Sequence, residues 1–189
     1  MKTSILGWLS RLARDKRGVS AVEFALLAPV MIGLYLSTVE ISDGVSADRK
    51  VSLIAAALAN LSAQVTAISS TDMTNILDAS SAIISPYKAS LLKMTVSCLK
   101  IDSNKTVTVK WSATKNGTVR TSFAFDSSNL ALTVASQYPI YLIYSEASYA
   151  YTPTVGYTIS GTLNLSDHMF MSPRISAPTY NDGTDHKCS

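Results

Sequence analysis

Hydrophobic and polar positions follow three regimes along the chain. Residues 19–39 are apolar almost without interruption, with Glu23 the one formal charge among them. A run of that length is what a helix needs to cross a hydrocarbon core. Farther on, Val51, Ile54, Leu58, Leu61, Val65 and Ile68 recur alternately three and four residues apart. That is a helical seam of about two and a half heptads. The alanines at 55, 56, 57 and 59 favour helix strongly. One long helix is therefore predicted from the apolar run to about Ser69, loosened at Gly44. Its seam can pack on the protein's own following domain or on a partner helix. Ser70-Thr71-Asp72 offers side-chain oxygens to free backbone donors and so starts a second helix. This one runs through Met73, Ile76, Leu77, Ile83 and Ile84 and stops near Ser85-Pro86.

From Leu91 the period drops to two. Leu92, Met94, Val96 and Cys98 alternate with polar residues as far as Ile101, and Asp102-Ser103-Asn104 reads as a turn. A second strand covers residues 106–113, with Val107, Val109 and Trp111 on one face, and Lys115-Asn116-Gly117 makes a hairpin turn. A third strand is predicted over 119–125, and residues 127–137 fit either a short helix or a loop. Residues 140–151 form a long aromatic strand closed by Thr152-Pro153. Residues 155–165 make a weaker segment, and the tail after Pro173 reads as irregular. The sum is an α+β chain: a long N-terminal helix, membrane-spanning in its first half, followed by an antiparallel sheet.

Charge changes the picture mainly at the N-terminus. Residues 1–18 hold five basic residues and one acid, a net +4, while the other 171 hold 11 basic and 12 acidic, a net −1. The overall +3 is thus a property of the leader, and a nucleic-acid partner gains no support from it. The basic leader orients the span with its N-terminus cytoplasmic and its C-terminus exported. Within the leader, Ile5, Leu6, Trp8, Leu9 and Leu12 form an apolar side that can lie on the inner leaflet. Pro29 and Gly33 are tolerated in a membrane helix, and Pro29 removes a donor and predicts a kink.

Glu23 needs a reason at membrane depth. One reading is an interfacial acid that snorkels to the cytoplasmic side. The other follows from cutting the chain after Gly18. Val19 then carries a new positive amine, and Glu23 lies one helical turn away on nearly the same face, so the two can neutralise each other within or between chains.

Gly18-Val19-Ser20-Ala21-Val22-Glu23-Phe24 resembles a type IV prepilin processing site, with glycine before the cut and an acid at the fifth mature position. Arg17-Gly18 and the Glu23-Phe24 pair are most similar to the tight-adherence (Tad) branch and, by length, to its TadE/TadG-like minor pseudopilins. Tyr149-Ala150-Tyr151-Thr152-Pro153 and Pro173-Arg174 are similar to that family's closing strand and terminus. The resemblance implies a pilin-like fold and cleavage by a prepilin peptidase between Gly18 and Val19. It also implies that Glu23 and Phe24 guide assembly with other pilin subunits and an assembly platform. The protein is then a structural subunit of a bacterial inner membrane, with the leader at 1–18, the span at 19–40, the helix continuing over 41–69 and an exported, periplasmic domain over 70–189. A competing reading keeps the span but makes Gly18 and Glu23 incidental: an uncleaved signal-anchored envelope protein with a ligand- or partner-binding outer domain.

Other chemistry is thin. Cys98 and Cys188 stand in no metal or redox spacing. In an exported domain they can form a disulfide tying the tail down, and buried free thiols are the alternative. His168 and His186, with Asp167, Asp182 and Asp185 nearby, match no common metal-site spacing. No nucleophile elbow or phosphate-binding glycine loop occurs. Neither an enzyme nor a cofactor is expected.

Overall fold

The computed structural model describes residues 18–123, 138–153, 156 and 161–188. Helix α1 runs Val19–Ala63, 45 residues without a break through Gly44, so it extends about 67 Å at 1.5 Å per residue. It ends six residues earlier than the seam suggests. The reason is competition for the backbone: strand β1 (Ala67–Ser69) pairs in parallel with β6 (Thr179–Asn181), and Thr179 N donates to Thr66 O at 3.0 Å. The helix end is itself tied down by the tail, since Arg174 N donates to Ala63 O at 2.9 Å. Arg174 Nη2 also reaches Asn60 Oδ1 at 2.7 Å. Main-chain carbonyls at a helix terminus need such partners.

Helix α2 (Ser70–Ser81) begins with a reciprocal cap. Asp72 N donates to Ser69 Oγ at 3.1 Å, and Ser69 N donates to Asp72 Oδ2 at 3.2 Å. Hydrogen bonds from the Ser69 side chain, then its backbone, hold the Asp72 carboxyl below its ordinary value. The cap thus falls on Ser69, one residue before the expected start. The α-helix gives way to a 3-10 turn over Ala82–Ile84 ahead of Pro86.

The main sheet has the order β3-β2-β4-β5, antiparallel throughout, from β2 (Leu92–Ile101), β3 (Val107–Lys115), β4 (Ile140–Tyr151) and β5 (Leu163–Met171). The second half of α1 crosses one face of this sheet, mainly over β4 and β5. Ser145 Oγ donates to Ala55 O at 2.6 Å, which marks the odd-numbered residues of β4 as the helix side. The core lies between these layers: Val51, Ile54, Ala55 and Leu58 of α1 meet Met94, Val96, Ile143 and Ala147 of the sheet. Each large side chain buried there contributes about 1.5–3 kcal/mol. The seam therefore packs on the protein's own sheet, but with a corrected register. Ala47, Val51, Ile54, Leu58 and Ser62 are buried, whereas Leu61 and Val65 remain 37% and 38% exposed. A straight helix drifts about 20° per heptad against a 3.5 repeat, so Leu61 rotates out of the core, and Val65 lies past the helix end at Ala63.

Four further expectations are corrected. The irregularity between Cys98 and Leu99 pairs Trp111 with Cys98 but Val109 with Leu99. Lys110 is then the extra residue, and Val107 and Val109 go to the outer face while Trp111 enters the core. Second, Asn116 does turn the chain, at φ 58°, but residues 119–123 form no strand and instead cross the outer face of the sheet. Residues 124–137, including the ambiguous 127–137, lie outside the described residues. Third, residues 155 and 157–160 of the weak segment lie outside the described residues, and its end belongs to a longer strand, β5, beginning at Leu163. Fourth, the tail is ordered: β6 and β7 (Asp185–His186) pair with each other, and β6 joins β1. Trp111 Nε1 donates to Pro178 O at 3.0 Å and its ring packs on Tyr180, which seats this strap. Cys98 of β2 and Cys188 of the tail are joined in a buried disulfide, Cα atoms 6.0 Å apart.

Candidate functional site: the exposed half of the first helix

Gly18 is the N-cap of α1, with φ −88°, ψ −9° and no side-chain cap. A Cβ placed there would meet nothing within 4 Å among the described residues. Its φ is one that any residue adopts, so neither backbone strain nor packing explains a glycine at this position. Val19 opens the helix and is half exposed. Glu23 and Phe24 follow one turn later, both exposed, Phe24 by 70%. At 100° per residue, Val19 and Glu23 are about 40° apart around the axis and about 6 Å apart along it.

No residue in 19–39 is buried in the structure. Val22, Leu26, Leu27, Val30, Met31, Ile32, Leu34 and Tyr35 are each more than half exposed. An apolar surface of this size on a water-facing helix is untenable, and its natural solvent is lipid or other helices. α1 is long and apolar enough over this region to cross a membrane. Pro29 sits inside the helix and leaves the Ala25 carbonyl without its usual donor. Ser37 Oγ and Thr38 Oγ1 satisfy a second acceptor position on Gly33 O (2.8 Å) and Leu34 O (2.9 Å). These bonds let hydroxyls reside in an apolar segment without an unpaired donor.

The boundary is sharp. Glu40 is the first buried residue of α1, only 3% exposed, and its Oε1 accepts from Gly156 N at 2.6 Å. Three more bonds tie the helix to the domain above it. Tyr87 Oη donates to Asp43 O at 2.9 Å, and Lys50 Nζ donates to Ile83 O at 3.3 Å and to Ser85 O. Tyr87 in turn packs on Tyr149 and Tyr151, with ring centroids 6.1 and 5.9 Å away. Burial raises the Tyr87 and Tyr151 phenols above their ordinary value, helped by the charge of Asp43.

Of the residues singled out in the sequence, Gly18, Val19, Glu23, Phe24 and Pro29 line this one exposed stretch. Cys98 and Cys188 meet far from it, in the core. The two histidines lie on separate sheets: His168 beside Tyr144 and Phe170, and His186 with its Nε2 3.1 Å from Asp182 Oδ1. Two constellations were not legible in the sequence. One is the Glu40 junction. The other is on the outer sheet face, where Arg120 Nε donates to Glu146 Oε2 at 2.9 Å and Arg120 Nη2 to Glu146 Oε1. The guanidinium also lies over the Phe123 and Tyr144 rings. Burial, then the Glu146 charge, pushes the Tyr144 phenol up to about 12. Arg120 and Glu146 are 26 residues apart, and no local pattern connects them.

Comparison with known proteins bears on the same stretch. No curated protein and no solved structure matches the chain. Residues 18–59 match the family described as TadE-like protein. That match starts at Gly18, covers the exposed apolar stretch and ends inside the helix seam that builds the core.

Proposed function

We propose that the protein is a minor pseudopilin-like subunit of a tight-adherence pilus, cut by a prepilin peptidase between Gly18 and Val19. The observation that carries this reading is the pairing of an unburied apolar helix with a lone acid one turn from its start, inside the TadE-like match. The glycine supports it as well: among the described residues nothing packs on Gly18, and a recognising enzyme accounts for its identity. Residues 1–18 then form a cytoplasmic leader, 19–40 the span, and the domain lies on the periplasmic side. After the cut, the Val19 amine and the Glu23 carboxylate attract one another at close range in a low-dielectric medium, within a chain or between stacked subunits. The pairing fixes the axial register at which one span docks on the next. The domain presents contacts for initiation, anchoring or attachment, and the function is structural.

Mass determination of the chain's N-terminus after expression with its own peptidase tests the proposal. A mature chain starting at Val19 is the expected result, and a Gly18→Leu variant should keep the leader. A chain that retains residues 1–18 in the wild type instead supports the signal-anchored alternative. Glu23→Ala should be processed yet fail to join pili, and normal incorporation of that variant would refute the pairing.

A further inference from the structure

We infer that Glu40 is a junction lock, fastening the exported domain to α1 at the level where the apolar span ends. The inference goes beyond the pilus reading and depends neither on cleavage at Gly18 nor on assembly. A glutamate that follows a membrane run ordinarily turns its carboxylate to water. Here the carboxylate is buried and accepts the amide of Gly156, 116 residues away in sequence, in the connection between β4 and β5. A carboxylate withdrawn from water is costly unless it is hydrogen-bonded, and the Gly156 amide is a partner that holds it in the buried position. Gly156 suits the partner role: its φ of +66° turns the amide in a conformation that side chains disfavour.

Glu40 is the lowest rung of a ladder. One turn higher, Tyr87 Oη bonds Asp43 O and the Tyr151 ring passes Gly44 closely enough that a Cβ there would lie 3.7 Å from it. Two turns higher still, Lys50 holds the carbonyls of Ile83 and Ser85. Continuous core packing begins only at Ala47. Residues 40–46 are thus joined to the domain by polar contacts and one aromatic cluster, not by the hydrophobic layer. Without the Glu40 contact, the helix between the span and Ala47 has a lost rung and the domain gains freedom to swing on it. With it, span and domain move as one lever, and force on the domain passes directly to the span.

Hydrogen exchange on the full chain in detergent micelles or nanodiscs tests this. In the wild type the Gly156 amide should be protected, and exchange at the rate of an unstructured peptide there would overturn the lock without any variant. Glu40→Ala should speed exchange at Gly156 and across 40–46 by about ten- to hundredfold, the loss of one hydrogen bond to a charged acceptor. Strand β2 should be unaffected. Glu40→Gln keeps an acceptor oxygen and should fall between the two. Unchanged exchange at Gly156 in both variants would overturn the proposal, as would equal acceleration throughout β2, which marks a general loss of stability. Tyr87→Phe should speed exchange at 40–46 but leave Gly156 protected. Equal loss at both places would show that the aromatic cluster, rather than Glu40, holds the connection.

Discussion

One uninterrupted helix lives in two environments. From Val19 to Val39 it is almost wholly apolar and none of its residues is buried, whereas from Glu40 to Ala63 one face is buried against the sheet and the other is wet. The two halves follow different grammars. The lower half carries no amphipathic period, and its information lies in a single charge and a glycine. The upper half carries a helical period, with small residues at 47, 55 and 59 letting the helix lie close on the strands. A helix of one composition can thus be an anchor and a core element in succession, provided the polarity pattern switches where the solvent does.

This contrast can be broken or sharpened by graded changes. The largest effect should come from opening the Cys98–Cys188 bond, which closes a loop of 90 residues in the upper region alone. The loop-entropy estimate is about 4–5 kcal/mol. Denaturant titration of the Cys98→Ala/Cys188→Ala double variant should show a loss of that order, and a midpoint unchanged from wild type would remove the tail strap from the account. Next, Leu58→Ala should cost the domain about 2–5 kcal/mol, while Leu27→Ala should leave its unfolding midpoint within the scatter of surface substitutions, about 0.5 kcal/mol. Comparable losses at both positions would erase the division of α1. Smaller still, Ser69→Ala removes one arm of the cap on α2 and should cost about 1 kcal/mol by thermal unfolding.

The finest test is in pH. The Tyr144 phenol is pushed up to about 12, above its ordinary value of 10.0, because burial and the Glu146 charge disfavour the phenolate. A raised folded value means that its stabilising contribution is complete below pH 10.0 and is lost as pH climbs toward about 12. Tyrosinate absorbance should therefore show a component near 12, in addition to the raised phenols of Tyr87, Tyr151 and Tyr180, that disappears in Tyr144→Phe. Titration of every tyrosine near 10 would place Tyr144 in water.

Much of this was legible in the sequence, and the misses have identifiable causes. The start of α1, the α2 start, β2 and the long strand β4 are set by local periodicity and capping, so the sequence places them within a residue or two. Of the two packings open to the seam, the fold takes the one against its own sheet for Val51, Ile54 and Leu58; Leu61 departs because a heptad is slightly too short for a straight helix, and Val65 because the helix has ended at Ala63. Val109 and Trp111 were put on one face because an extra residue at a bulge leaves no mark in a period-two pattern. The tail looked irregular since β6 is three residues long and is stabilised by a partner, β1, more than 100 positions earlier. Arg174 illustrates the same limit: its bonds to Ala63 and Asn60 at the helix end are non-local, and no pattern around Pro173-Arg174 marks them. Glu40 is the last residue of the 19–40 span expected from the sequence, and only the fold reveals its carboxylate turned inward.

The division of α1 is tested most directly by site-directed spin labels placed singly along residues 19–63 of the full chain in lipid nanodiscs. Collision rates with oxygen and with a water-soluble nickel complex then report lipid and water around the helix. The account predicts high oxygen access with little periodicity over the central residues of 19–39. A switch at 40 should follow, to a 3.6-residue alternation whose protected positions include 47, 51, 54 and 58. Periodic protection from both reagents throughout 19–39 would mean that the lower half is packed into protein in the isolated chain, and would contradict it.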